Sequence, residues 1–268
     1  MADAPSTVHY RSVSQYRQYF GECPHAYYLS RVVKAWQRPA AWLPQGTAVH
    51  AAIEAYERSG RLLTVDQAQD VFRESYAAEV NASTAHTPNL SFWSRSGPYD
   101  GERDIERRYG LGLEQVARYL SYCEGAGAEE TPWVTPDGTL AVELGFVIEL
   151  GGVWVRGYID NVYKHPRRTS LTVRDAKTGR LPGDPFQLGV YALAIEEVYD
   201  HEARFGDYWM AQSGKATFPY DLKEWTKPRL TEMFGELDAA ITAEDWTPRP
   251  DPASCGRCSV SSACPFAV

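Results

Sequence analysis

A mixed α/β core with helices on its flanks is the fold class this chain predicts, and three observations predict it. Residues 140–150 and 153–163 alternate apolar and polar side chains around Gly151-Gly152, the pattern of a two-stranded hairpin. Helical spacing takes over on both sides of that hairpin, across 47–123 and again across 185–199 and 227–244. Strand-like segments at 170–177 and 203–218 bracket the 185–199 helix, so strands and a helix interleave as in a layered α/β core.

The elements follow in order. Residues 12–34 read as a helix begun near Ser12 and broken at Cys23-Pro24, because proline cannot continue an undistorted helix. Helices are expected over Thr47–Arg58, Val65–Val80 and Glu102–Cys123, with the Ser/Pro/Gly/Asn-rich stretch 81–101 as a long loop. Its Phe92 and Trp93 suit either stacking on single-stranded bases or a satellite hydrophobic cluster. Segment boundaries follow: 1–45 at the N-terminus, a helical region 46–135, a core 136–245 and a C-terminal segment 246–268.

With 268 residues and 44% hydrophobic content the chain can bury a sizeable core. The net charge of −8 argues against indiscriminate polyanion binding but leaves room for a local basic groove. Candidate clusters are Arg103–Arg108, Lys164–Arg168 and Arg174–Arg180, each equally readable as a solvated face. Residues 1–20 hold no apolar run suited to a signal peptide, and no stretch is long enough to span a membrane, so a reducing, cytoplasmic setting without membrane attachment is expected.

Four of the five cysteines then acquire meaning. Cys255, Cys258 and Cys264 form a C-x2-C-x5-C tail, and Cys23 stands more than 200 residues upstream. Four thiolates are the number that holds a cubane iron-sulfur cluster or a closed zinc site. Ligand count does not separate the two; three clustered ligands with a distant fourth favour iron-sulfur over the paired hooks of structural zinc. Either group would tie the chain ends together. Cys123, inside a helical pattern, reads as a small core residue.

The polar residues of the core converge. Asp160 is expected at the end of one strand, and Asp175 and Lys177 share one face of the next by strand period. Two carboxylates can supply oxygen ligands to Mg2+, and an ammonium beside them can position a water or neutralise phosphate charge.

Gly157-Tyr-Ile-Asp160 followed by Asp175-Ala-Lys177-Thr-Gly resembles the core of the PD-(D/E)XK (restriction-endonuclease-like) nucleases, most closely the RecB-type exonucleases. With one N-terminal and three C-terminal cysteines, the chain is similar to the iron-sulfur members of that group, among them the CRISPR-associated Cas-four proteins, the nuclease part of AddB and phage relatives. Gly46-Thr-Ala-Val-His50 matches the family's Gly-x-x-x-His helix, and Gln187-Leu-Gly-Val-Tyr191 its Gln-x-x-x-Tyr helix. Glu143 falls where relatives often have a glutamate, against the plain reading of an exposed strand carboxylate.

The resemblance implies a Mg2+- or Mn2+-dependent deoxyribonuclease with a mixed-sheet core, a helical insertion and a 4Fe-4S cluster. It implies His50, Asp160, Asp175 and the Ala176 carbonyl as metal ligands. Lys177 would be the catalytic lysine, with Gln187, Tyr191 and Glu143 around it and Cys23, Cys255, Cys258 and Cys264 on the cluster. The substrate would be DNA ends or single strands, in recombination, repair, phage DNA processing or CRISPR adaptation, with protein partners in such complexes. Other readings are an inactive DNA-end-binding adaptor, a zinc-stapled structural protein or a redox enzyme.

Overall fold

The structure, a computed structural model, describes residues 9–268. The chain divides into two compact units: the segment up to Pro39 with Val147–Gly157 and Thr226–Val268, and Ala40–Phe146 with Tyr158–Trp225.

In chain order the helices are α1 (Val13–Tyr16), α2 (Pro24–Tyr27), α3 (Trp42–Arg58), α4 (Val65–His86), α5 (Gly101–Glu124), α6 (Phe186–Tyr199), α7 (Lys227–Thr242) and α8 (Pro252–Cys255). The strands are β1 (Thr131–Pro132), β2 (Val142–Leu150), β3 (Val153–Lys164), β4 (Thr172–Lys177), β5 (Phe205–Met210), β6 (Lys215–Ala216) and β7 (Tyr220–Asp221). They form one mixed sheet in the order β1-β3-β4-β5-β6, with β2 paired to β3 and β7 to β5. β3 and β4 run antiparallel, β4 and β5 parallel, the latter joined through α6 as a strand–helix–strand crossover.

In the unit comprising Ala40–Phe146 and Tyr158–Trp225, α3, α4 and α5 supply Ala48, Ile53, Phe72 and Leu120 to one hydrophobic cluster, which Ala176 and Trp209 join from β4 and β5. α6 takes the other sheet face, where Leu188 approaches Gly206 of β5. Period 2 along β4 therefore sends Arg174 and Ala176 toward α3–α5, and Asp175 and Lys177 toward α6.

Several boundaries differ from expectation for identifiable reasons. α3 starts at Trp42 rather than Thr47, because Pro44 lies in the first turn, where a missing N–H costs nothing. α4 opens with a capping box between Thr64 and Gln67 but runs on to His86, six residues past Val80 and into the stretch expected as a loop. Residues 81–86 carry no proline or glycine to stop it, and Ala82 and Ala85 favour helix. Within the rest of that stretch Trp93 is buried, its indole N–H donating to Thr87 O, while Phe92 is exposed. Asp160 lies inside β3, which continues to Lys164, and not at a strand end. Cys123 is buried in the helical cluster, as its pattern suggested.

In the other unit, Ser12 caps α1 and the helix breaks at Cys23, which is extended at φ −156°. Two π-helical segments, Arg17–Glu22 and Tyr28–Val32, flank the break. Tyr27 and Tyr28 stack on Trp246, and Tyr16 packs against Phe234 of α7. The hairpin turn there uses Gly151 and Gly152 at φ +60° and +88°, the left-handed pair that a tight two-residue turn demands. Among the described residues no helix is long and apolar enough to cross a membrane.

Candidate active site

Five elements bring the polar residues together. His50 faces the sheet from α3, with Nδ1 3.3 Å from Asp160 Oδ2 on β3 and 3.7 Å from Glu143 Oε1 on β2. Ligand atoms of these three residues all lie within 4.8 Å of one another. The N–H of Ala176 donates to Asp160 Oδ2 at 2.8 Å, so the β4 backbone holds the β3 carboxylate in place. The Ala176 side chain itself packs in the α3–α5 cluster, on the sheet face opposite Asp175 and Lys177.

Glu143 sits at φ +46°, a left-handed conformation that costs a non-glycine residue about 1–3 kcal/mol. That strain turns its carboxylate into the group with His50 and Asp160. The exposed-strand reading of Glu143 is thereby replaced by a half-buried position beside two other polar side chains.

A second set adjoins the first. Lys177 Nζ is 2.6 Å from Asp175 Oδ2, although the geometry is not that of a hydrogen bond and leaves this buried oxygen without one. Gln187 on α6 ties the set down: its Nε2 donates to Asp175 Oδ1 at 2.6 Å and to Tyr191 Oη at 2.7 Å, while its Oε1 accepts from Lys177 at 3.0 Å. The i,i+4 spacing of Gln187 and Tyr191 delivers this contact directly.

The electrostatics are those of crowded acids. Burial drives the Asp160 carboxyl upward, and the charges of Asp175 and Glu143 push it further, with His50 opposing. Burial disfavours the His50 imidazolium, yet Asp160, the Glu143 hydrogen bond and Asp175 outweigh it and raise its pKa to about 9. Burial and the Asp175 and Asp160 charges hold the Tyr191 phenol well above its usual range, so it stays neutral. Hard oxygens with one imidazole, and a buried carboxylate oxygen lacking a hydrogen bond, are a donor set that fits Mg2+ or Mn2+.

All six expected non-cysteine site side chains, together with His50, therefore fall in one neighbourhood of one unit. A cavity of about 630 Å³ opens elsewhere, lined by Arg118, Tyr163, Arg168, Arg174 and Lys215, and none of the site residues lines it. Its deepest cation, Arg174, is already neutralised by Asp207 at 2.5 Å and Glu130 at 2.6 Å, so the Arg174–Arg180 cluster does not form a free basic face. Arg107 and Arg108 likewise converge on buried Asp104.

Sequence reasoning missed Glu57, whose buried carboxylate accepts from Arg61, Tyr119 and Tyr163. Its i,i+4 pairing with Arg61 was readable; its hydrogen bonds to helix α5 and strand β3 had no local signal.

The four motif cysteines are free thiols, as is Cys123. Cys23, Cys258 and Cys264 pack against Ala26, Leu29 and Val260. Burial raises the Cys258 thiol against a Val260 backbone hydrogen bond that lowers it, with smaller raising contributions from the neighbouring Cys23, Cys264 and Cys255.

A curled mixed sheet that gathers acids, a lysine and a histidine beside a crossover helix is the architecture of a metal-dependent phosphodiester hydrolase. The chain belongs to the PD-(D/E)XK nuclease superfamily, whose family model matches residues 11–265. It is 53% identical to the Gene 69 protein of Mycobacterium phage D29 over 263 residues, covering 95% of this chain and 96% of the relative. It is 47% identical to the Gene 69 protein of Mycobacterium phage L5, covering 99% of each. The crystal structure of SSO0001 is a fainter likeness, with a TM-score of 0.33 and 17% identity over 62% of this chain and 81% of that one.

Proposed function

We propose that the protein is a deoxyribonuclease that hydrolyses phosphodiesters at DNA ends or in single strands, in phage DNA processing. The observation that carries this reading is the His50–Glu143–Asp160 group lying beside the Lys177–Asp175–Gln187 group. His50, Glu143, Asp160, Asp175 and the Ala176 carbonyl would hold Mg2+ or Mn2+. When bound, such an ion neutralises charge developing on the scissile phosphate and eases deprotonation of the attacking water.

The chain's own residues do the rest. Gln187 fixes Lys177 and Asp175 relative to each other, so the ammonium is held toward the substrate without a search through rotamers. Lys177 orients the attacking water and offsets phosphate charge. Ala176 N–H holds Asp160 Oδ2 in place beside His50. Tyr191, neutral throughout, anchors Gln187.

We also assign Cys23, Cys255, Cys258 and Cys264 to a 4Fe-4S cluster. Support comes from the motif itself, C-x2-C-x5-C with Cys23 upstream, and from the packing of Cys23, Cys258 and Cys264 on one small cluster with Val260. The cluster's part is structural, joining segments near both chain ends. Relatives encoded by mycobacteriophages favour a phage setting over CRISPR adaptation, and the full set of polar residues disfavours an inactive adaptor.

The test is digestion of end-labelled single- and double-stranded DNA by anaerobically purified protein in Mg2+ or Mn2+, with Lys177→Ala and EDTA controls. Lys177→Ala should lower turnover by about 10²–10⁴-fold, the range of one positioned proton-handling or charge-stabilising group, with DNA binding retained. Equal loss of binding and turnover would remove Lys177 from the chemistry.

A further inference from the structure

The face of β2 and β3 that carries Glu143 and Asp160 continues one alternation further, and there it presents Gly145 and Tyr158. Tyr158 is 67% exposed, among the largest exposures of any aromatic in the chain. The ring edge formed by Cδ1 and Cε1 rests on the bare backbone of Gly145: a Cβ there would lie 3.3 Å and 3.6 Å from those atoms. Among the described residues the ring stacks on no other aromatic and pairs with no cation. The polar site thus has beside it an aromatic surface supported from below and open to solvent, about 7 Å along the strand from Asp160. That distance is the reach from a backbone phosphate to an adjoining base.

We propose that Tyr158, backed by Gly145, is a stacking platform for the nucleobase next to the scissile phosphate. This rests on the nuclease reading of the neighbouring group. The platform takes any of the bases, since each has a π-face, and takes them only unpaired, because a base inside a duplex has both faces covered. Gly145 is the support because a side chain there would crowd the ring at a distance tighter than ordinary contact. The nucleotide so held has its phosphate brought to Asp160 and Lys177, and the strand is indexed by one base per cut.

The experiment uses single-stranded oligonucleotides with 2-aminopurine at successive positions, bound in EDTA so that no cleavage intervenes. Wild-type protein should change the fluorescence at one register, Tyr158→Phe should reproduce the change, and Tyr158→Ala should abolish it while weakening binding by about 10-fold. Circular dichroism of Tyr158→Ala should match wild type, as the side chain is exposed. In Mg2+ or Mn2+ the loss should appear in KM rather than kcat. An abasic nucleotide at the responding register should cost wild type the same factor and cost Tyr158→Ala nothing more.

Identical fluorescence responses from wild type and Tyr158→Ala, or equal abasic penalties in both, would overturn the platform. Fluorescence that depends on Tyr158 without any cleavage by wild type would keep the platform and remove the hydrolase reading instead.

Discussion

The polar site and the cysteine region are built on opposite plans. Every carboxylate of the first is carried by a sheet strand and braced by a neighbour: Asp160 by the Ala176 N–H, Asp175 by Gln187, Glu143 by its own left-handed backbone. The cysteines sit instead at the end of the four-residue α8 (Cys255), in the turn that follows it (Cys258), after a 3-10 turn (Ser261–Ala263, then Cys264) and at the corner before α2 (Cys23), around a small cluster of Ala26, Leu29 and Val260. Burying Leu29 and Val260 contributes about 1.5–3 kcal/mol each and Ala26 less, little against the cost of ordering four short segments. The first site is braced by the fold, whereas the second, on the cluster assignment proposed above, would draw its order from the group it binds.

The sharpest break of that contrast is Asp160→Ala. Metal affinity by calorimetry should fall by more than about 100-fold, beyond the loss typical of a supporting neighbour, while the melting temperature changes little; retained affinity would remove Asp160 from the ligand set. Cys258→Ala should do the converse. The brown colour and iron content should disappear and Tm should drop by about 5–10 °C, the shift that about 2–3 kcal/mol makes in a chain of this size. Colour retained in that variant would refute the ligand assignment.

Proton release sharpens the comparison. His50 is charged in the metal-free protein up to about pH 9, and a metal takes only the neutral imidazole, so Mn2+ affinity should rise by up to about tenfold per pH unit between pH 6.5 and 9. Without metal the same group stabilises the fold below pH 6.5 and loses that contribution as pH climbs through 9. Metal-free protein should therefore melt at lower temperature at pH 9 than at pH 6, and a flat profile for both quantities would count against His50. The smallest effect is Glu143→Gly, which relieves the φ +46° backbone and should raise metal-free stability by about 1 kcal/mol while weakening Mn2+ binding.

Much of this was legible in the chain. Period 2 put Asp175 and Lys177 on one face, and the i,i+4 spacing put Gln187 with Tyr191, because those relations are local and geometry enforces them. The two-residue glycine turn set the β2–β3 hairpin. What escaped was non-local. The end of α4 carried no stop signal, the twist at Glu143 comes from its tertiary surroundings, and the burial of Arg174 follows from acids 33 and 44 residues away. Tyr158 lies inside the Gly157–Asp160 motif with no local signal of its exposure, which depends on Gly145 of β2 beside it.

The β3–β4 ladder pairs Asn161 with Arg174 and Val162 with Val173, and just past its end the Ala176 N–H takes the Asp160 carboxylate. A slip of one residue would turn one strand's carboxylate to the wrong side of the sheet and leave Arg174 facing α6 without Asp207 or Glu130. Turnover consequently counts molecules with correctly aligned strands: a cleaved phosphodiester is a receipt for the right register, and specific activity doubles as an assay of refolding fidelity.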